Sequence, residues 1–187
     1  MNNHYEKIIF AQKIIQRKLI GKELSYGEIY HLINLISKQE INDILIAYFT
    51  AASFTNKFSD KEIFYLIKAM VETGNKLSFK GIVADKHSTG GVAGTRTTPI
   101  IVAIVAAAGF KIPKISSRAI TTPAGTADVM GVLARVDLSI NEIENIVNKV
   151  GGCLAWNGKM GIAPADDVII RVEKEIMFES FDKIIIS

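Results

Sequence analysis

Hydrophobic residues recur with the spacing of amphipathic helices over roughly the first seventy positions of the chain. Ser25 and Ser59 each precede a glutamate by three residues, the pattern of a reciprocal cap at the start of a helix. Gly21 and Gly74 stand where helices are expected to end. We therefore predict helices at about 5–20, 25–37, 40–54 and 59–73, the third of which is expected to bury a face formed by Ile41, Ile44, Leu45 and Tyr48.

From Gly81 onward, short apolar runs alternate with helical patterns. A strand, a helix and a second strand in close succession predict a right-handed crossover and a parallel sheet. Three strands are expected, fewer than a parallel sheet usually has, so the α/β part is expected to be truncated. The predicted segments are a strand at 81–85, a helix at 97–108, a strand at 111–115, a helix at 124–135, a helix capped by Ser139 and Glu142, a strand at 153–156 and a helix from Pro164.

Composition and charge exclude several classes of protein. The formal net charge is +3 without a run of consecutive basic residues, which gives little support for nucleic-acid binding. The longest apolar stretch, residues 99–110, is too short to cross a membrane, and we interpret it as a buried helix. The single cysteine, Cys153, rules out an internal disulfide framework and is typical of a reducing, cytoplasmic compartment.

Two glycine- and hydroxyl-rich loops follow the first two predicted strands. The first, residues 86–98, combines Lys86 with glycines that let backbone N–H groups approach an anion, just before a helix N-terminus. The second, residues 115–126, again carries hydroxyls and a cation, Arg118, before a helix. Because parallel strands end at one edge of a sheet, the two loops predict a phosphate site, although plain glycine turns remain the alternative. His87 would add a group that can transfer a proton.

Three motifs in register resemble the thymidine and pyrimidine-nucleoside phosphorylases: residues 86–91, 117–128 and 163–167. The chain is similar, from about Phe10 to Ser187, to the N-terminal portion of the branch that contains AMP phosphorylases and bacterial thymidine phosphorylase homologues. The resemblance implies an α + α/β fold of the nucleoside phosphorylase and phosphoribosyltransferase type. It implies a helical dimerisation domain at 1–74, a truncated, mostly parallel phosphate-binding domain at 81–160 and a helical segment at 164–187 that returns to the first domain.

The implied reaction is the reversible phosphorolysis of a nucleoside, with inorganic phosphate as co-substrate and neither a metal nor another cofactor. The resemblance implies that phosphate is held by Lys86, Ser88, Thr97, Ser116 and Thr126. It implies His87, Lys86 and Glu179 as catalytic residues. It implies that the nucleoside or nucleotide contacts Gly91, Ser117, Arg118, Ala119, Ile120, Thr121, Thr122 and Ser187.

Three other functions stay open beside a thymidine-type phosphorylase. AMP phosphorylase is the first, and a non-catalytic remnant that only binds phosphate is the second. The third is a phosphoribosyltransferase such as the anthranilate enzyme, in which Asp166 and Asp167 would hold magnesium; a role as acids at the start of a helix is favoured for that pair. We expect a homodimer, and a second chain that carries the missing C-terminal half is a further expected partner. Neither nucleic acid nor membrane is expected as a partner.

Overall fold

A computed structural model of the chain describes residues 2–87, 97–118 and 124–176. Within these residues, helices dominate, and the two strands lie between α5 and α8 in the sequence. The elements are α1 (Asn2–Leu19), α2 (Tyr26–Ser37), α3 (Asp43–Thr55), α4 (Asp60–Thr73), α5 (Thr97–Ala107), β1 (Ile112–Ser116), α6 (Thr126–Gly131), α7 (Ile140–Val150), β2 (Gly152–Trp156) and α8 (Pro164–Ile176).

The chain divides into two compact units. The helical unit comprises Met1–Asn75 together with Ile162–Ser187, and the α/β unit comprises Lys76–Gly161. Helix α8 therefore belongs with α1 to α4, although it follows the sheet in the sequence. The predicted fold class, a helical N-terminal domain joined to a small parallel α/β domain, is confirmed.

Helix α2 lies at the centre of the helical unit and packs against α1, α4 and α8. Its side chains are apolar around most of its circumference, which is the pattern of a helix surrounded by neighbours. Serine and glutamate cap α2 and α4 reciprocally, at Ser25 and Ser59, as the sequence predicts. The fully buried residues of α2 are Ile29, Leu32, Ile33, Leu35 and Ile36.

The predicted buried face of α3 is wrong in two of its four positions. Ile44 is 68% exposed and Tyr48 is 55% exposed, whereas Ile46 and Phe49 are buried. The helix begins only at Asp43, after a cap at Asn42, so a helical spacing counted from Ile41 starts outside the helix. The face that packs in the unit is consequently rotated away from the predicted one.

In the α/β unit, β1 pairs with β2 in parallel, with Ile112 opposite Gly152 and Ser116 opposite Trp156. The predicted first strand, 81–85, forms only one parallel bridge, from Val83 to Lys111. Gly81 adopts a left-handed φ of 94°, which is incompatible with an extended strand, and the side chain of Val83 is exposed. The described part of the α/β unit therefore has two strands and a bridge instead of three strands.

Two predicted helices in the α/β unit differ from the structure. Helix α5 is not fully buried, because Thr98 and Val102 are buried while Ile100 and Ile104 are exposed. Helix α5 packs against β1 and β2, so only the side that faces the two strands is buried. Helix α6 ends at Gly131 rather than at 135. The chain turns there, and the carbonyl of Val136 then accepts a hydrogen bond of 2.9 Å from the backbone N–H of Trp156.

Candidate active site

The candidate site lies where the parallel segments of the α/β unit end. The bridge at Val83, strand β1 and strand β2 run in the same direction, so the segments that follow them leave from one edge. Ligands of open α/β folds bind at this edge. The segment after Val83 carries Lys86 and His87, and the segment after β1 carries Ser117 and Arg118.

Lys86 is linked to the first turn of α5. Its Nζ donates a hydrogen bond of 2.9 Å to Oγ1 of Thr98, whose side chain is buried with 1% exposure. Thr97, the predicted phosphate ligand next to it, is exposed at the first position of the helix. An ammonium group and the N-terminus of α5 thus lie together, and both attract anions. His87 directly follows Lys86, and its side chain is exposed.

The remaining described phosphate candidates lie at the end of β1 and the start of α6. Ser116 is the last residue of β1 and is partly buried, and its hydroxyl donates to the carbonyl of Ser117 over 3.3 Å. Thr126 is buried at the first position of α6. The hydrogen bonds described for these residues therefore connect Lys86 with Thr98 of α5, and Ser116 with the adjacent Ser117. Assignment of these residues to phosphate stays a prediction.

Three side chains from other parts of the α/β unit contact the guanidinium of Arg118. Its guanidinium lies 4.5 Å from the ring centre of Trp156, at the end of β2. It also lies 3.5 Å from the carboxylate of Asp128 on α6 and 3.8 Å from that of Asp137. Cation–π stacking and ion pairs together fix the plane of a guanidinium. Trp156 therefore supports Arg118, a predicted substrate-binding residue.

The ring of Trp156 packs closely against the backbone of Gly158. A Cβ atom at this position would lie 2.0 Å from the indole ring, which no side chain can tolerate without displacing the ring. The sequence signal for this close approach is a glycine two residues after an aromatic residue at a strand end. Gly158 thus acts on Arg118 through Trp156.

A surface cavity of about 360 Å³ adjoins Arg118. Its charged groups balance, because Arg118 and Arg135 face Asp128 and Asp137. Arg135 is also paired with Glu142, whose carboxylate lies 2.5 Å from it. Such a lining suits an uncharged polar ligand better than a bare anion. The lining residues are Arg118, Asp128, Gly131, Val132, Ala134, Arg135, Val136 and Asp137.

Lys114 is a charged residue of the site that sequence reasoning missed. Its side chain lies on β1 and is only 8% exposed, and its Nζ lies 3.9 Å from a carboxylate oxygen of Asp85. Burial lowers the pKa of Lys114; Asp85 opposes this shift, and the nearby Lys86 adds to it. The signal in the sequence is its spacing, because Lys114 precedes Ser116 by two residues on a strand.

Several predicted site residues lie outside the residues that the structure describes. They are Ser88, Gly91, Ala119, Ile120, Thr121, Thr122, Glu179 and Ser187.

The acidic pair proposed for the magnesium alternative lies in the first turn of α8, in the helical unit. Asp166 is buried, and burial raises the pKa of Asp167 above its ordinary value. Within residues 2–87, 97–118 and 124–176, no group of three or more histidine, cysteine, aspartate or glutamate side chains is arranged to hold a metal ion. In the same residues, no helix is long and apolar enough to cross a membrane.

Comparison with known proteins identifies relatives of both units. Residues 12–74 match the model of the helical bundle domain of the glycosyl transferase family, and residues 80–185 match the model of its a/b domain. A solved structure, the anthranilate phosphoribosyltransferase of Thermus thermophilus, superposes with a TM-score of 0.73 at 19% identity. The match covers 91% of this chain and 52% of that one, and at this identity it supports the fold alone.

Two relatives in the curated set are equally similar to the chain. One is named "Putative thymidine phosphorylase", from Legionella pneumophila (strain Paris), and is 45% identical over 184 residues. The other is named AMP phosphorylase, from Natronomonas pharaonis, and is 45% identical over 174 residues. The matches cover 98% and 92% of this chain, and 36% and 35% of the relatives, so the chain spans about a third of their length. The resemblance inferred from the three motifs is confirmed, and the chain belongs to this glycosyl transferase family.

Proposed function

We propose that the chain contributes the phosphate site of a pentosyltransferase that catalyses reversible phosphorolysis of a nucleoside. The observation that carries the proposal is the position of the Lys86 ammonium, hydrogen-bonded to Thr98 at the N-terminal turn of α5. A fixed positive charge beside a helix N-terminus stabilises a bound oxyanion and holds it in line for reaction. Membership of a glycosyl transferase family supports transfer of a sugar as the chemistry.

In the proposed reaction, an oxygen of inorganic phosphate attacks the anomeric carbon of the sugar. The bond from that carbon to the base nitrogen breaks, its electron pair leaves with the base, and the base takes up a proton. The products are the free base and the sugar 1-phosphate. Lys86, with Ser88, Thr97, Ser116 and Thr126, would hold the phosphate, and His87, exposed beside Lys86, would supply the proton.

The balanced charges around Arg118 support a neutral part of the substrate in the neighbouring cavity. Asp128 and Asp137 already compensate its guanidinium, so an anion gains little there, whereas the hydroxyls of a sugar or the edge of a base find both donors and acceptors. We propose thymidine as the substrate, with thymine and 2-deoxyribose 1-phosphate as products. AMP is the alternative substrate, since a relative named AMP phosphorylase is as similar to the chain.

The second candidate function is binding of phosphate without turnover. The test incubates the chain with phosphate and either thymidine or AMP, alone and with a polypeptide that carries the remaining part of the relative. Free base is measured by chromatography. Phosphate-dependent release of base supports the phosphorylase, and its absence in every combination contradicts it.

Variants give this test its specificity. Lys86→Met is expected to lower phosphate-dependent base release by about 100-fold or more, because it removes a charge that stabilises the reacting oxyanion. Lys149→Met removes a lysine of the same unit from the exposed end of α7, and it is expected to leave the rate unchanged. Equal rates for the two variants would contradict the proposed phosphate site.

We further propose that the chain forms a homodimer through the helical unit. Exposed apolar side chains at Tyr5, Ile44 and Tyr48 of this unit support the proposal, because such side chains are favourable where a partner covers them. Sedimentation of the purified chain measures the mass directly. Ile44→Glu is expected to yield monomers, and a dimer that persists in this variant contradicts an interface at α3. A cytoplasmic location stays the prediction made from the single cysteine.

A further inference from the structure

Lys114 lies in a position that a purely structural lysine has little reason to occupy. It is the third residue of β1, and side chains two residues apart on a strand point to the same face of the sheet. Lys114 therefore shares its face with Ser116, the predicted phosphate ligand at the end of the strand. The residue as a whole is only 8% exposed, so its aliphatic stem is largely removed from water.

Transfer of an ammonium group out of water is unfavourable unless it gains close partners. The partner of Lys114 is Asp85, whose carboxylate lies 3.9 Å away, beyond hydrogen-bond distance, and is 71% exposed. An ion pair of this length with an exposed carboxylate contributes little. Among the described residues, Lys114 has no hydrogen-bond partner, although an ammonium can donate three hydrogen bonds.

A second positive charge lies next to this pair. Lys86 directly follows Asp85, and it is close enough to disfavour the charged form of Lys114. Two neighbouring ammonium groups thus lie at the carboxyl edge of the sheet, where the exposed carboxylate of Asp85 is the counter-charge of Lys114. Neighbouring positive charges repel each other, and their proximity becomes favourable when an anion with two negative charges binds.

We propose that Lys114 is a further phosphate-binding residue, whose ammonium holds inorganic phosphate together with that of Lys86 at the carboxyl end of β1. The inference rests on the proposed function, because the anion is the co-substrate of phosphorolysis. It adds a ligand from the interior of the strand to those predicted from the two loops. A phosphate bound there would supply the hydrogen-bond acceptors that the Lys114 ammonium lacks among the described residues.

Calorimetric titration of inorganic phosphate into the 187-residue chain tests the inference. Lys114→Met is expected to weaken phosphate binding by about tenfold or more, the loss that corresponds to one charge-assisted hydrogen bond. Lys114→Arg is expected to retain more affinity than Lys114→Met, because it keeps a positive donor. Lys86→Met is the positive control, and Lys149→Met, at the exposed end of α7, is the matched control with unchanged affinity.

The thermal midpoint of each variant separates binding from folding. Lys114→Met is expected to melt no lower than the unsubstituted chain, since removal of a poorly compensated buried charge is often neutral or stabilising. A lower midpoint, with Lys114→Arg binding phosphate no better than Lys114→Met, would assign Lys114 to the fold and overturn the inference.

The other outcomes distinguish this inference from the proposed function. Weak binding by Lys86→Met with unchanged binding by Lys114→Met would overturn the role of Lys114 and leave the proposed phosphate site intact. Absence of phosphate binding by the unsubstituted chain would overturn both. AMP is titrated in a separate arm: if Lys114→Met weakened only AMP binding, with inorganic phosphate unaffected, the assignment to inorganic phosphate would be wrong.

Discussion

In the helical unit the ammonium of the buried residue Lys18 lies 2.7 Å from the carboxylate of Glu62, whereas in the α/β unit the ammonium of Lys114, a residue that is 8% exposed, lies 3.9 Å from the exposed carboxylate of Asp85. Lys18 also donates to the carbonyl of Lys57, over 3.2 Å. The Lys18–Glu62 pair, which we call the closed pair, is hydrogen-bonded. The Lys114–Asp85 pair is too long for a hydrogen bond. A buried charge with protein partners serves the fold, whereas one with poor partners is available to a ligand.

Glu62 illustrates how completely the helical unit satisfies its internal charges. Oε2 of Glu62 accepts from the Lys18 ammonium and from the backbone N–H of Ser59. Oε1 accepts a hydrogen bond of 2.9 Å from the backbone N–H of Leu24. The same carboxylate thus caps α4 and pairs with Lys18. Arg118 is the counterpart in the α/β unit, since it has two carboxylates and an aromatic ring but remains 48% exposed beside a cavity.

The two units can be followed separately in one sample. All five tyrosines lie in the helical unit, and the single tryptophan, Trp156, lies in the α/β unit. During urea denaturation, tyrosine emission therefore reports on the helical unit, and tryptophan emission with selective excitation reports on the α/β unit.

The largest effect is expected from breaking the closed pair. Glu62→Leu should lower the free energy of unfolding of the helical unit by about 3–5 kcal/mol, because it leaves the Lys18 ammonium buried without its carboxylate. The measurement is urea denaturation followed by tyrosine emission. The double variant Lys18→Met with Glu62→Leu should regain much of the loss. A loss below about 1 kcal/mol in the single variant would mean that the pair is worth no more than an exposed one.

A moderate effect is expected in the α/β unit from filling the space beside Trp156. Gly158→Ala should lower the free energy of unfolding by about 1–3 kcal/mol, because its Cβ would force the indole ring to move. The native tryptophan emission should shift as the ring leaves Arg118. Gly27→Ala is the matched control, since a Cβ at Gly27 meets nothing within 4 Å. Unchanged emission from Gly158→Ala would contradict the tight contact.

A smaller and equal effect is expected at the caps of the two units. Ser59→Ala and Ser139→Ala should each cost about 1 kcal/mol, because each removes the hydroxyl that accepts a hydrogen bond at a helix start. The tyrosine signal should report the first loss and the tryptophan signal the second. A Ser139→Ala variant that shifts only the tyrosine transition would refute the assignment of α7 to the α/β unit.

The smallest effect is expected from acid. Burial opposes ionisation of Glu62, but hydrogen bonds from Lys18 and two backbone N–H groups hold its pKa below the ordinary value of 4.5. Between these two pKa values the unfolded chain binds more protons, so this contribution is present above 4.5 and is lost as pH falls through the lowered pKa. The helical unit should therefore lose stability below 4.5, with a shallower slope in the Lys18→Met, Glu62→Leu double variant. Equal slopes would show that Glu62 contributes nothing to the pH dependence.

Local sequence patterns predicted the helices and the caps well. The capping boxes at Ser25, Ser59 and Ser139 are confirmed, because each depends on side chains only three residues apart. Positions that depend on distant packing were predicted less well. Ile44 and Tyr48 have the spacing of a buried face, yet the neighbours of α3 contact another side of the helix.

The same division applies to the site. The residue types of the two loops and their place after parallel strands could be predicted from the sequence alone, because strand direction follows from chain connectivity. The support of Arg118 by Trp156, Asp128 and Asp137 could not, since these side chains come from separate elements. The exposed face of α5 could not be predicted either, because its sequence is apolar on all sides.

The sequence by itself determined most of the helices, their capping boxes, the strands β1 and β2, and which loops carry anion-binding groups, because these properties depend on neighbours along the chain. The tertiary structure alone decided that Lys18 pairs with Glu62 over 2.7 Å, whereas Lys114 pairs with the exposed Asp85 over 3.9 Å. The reason is that the sequence around a lysine does not show which distant residues will lie beside its ammonium in the folded protein. Only the packing of distant elements decides whether a largely buried lysine finds close partners for its ammonium.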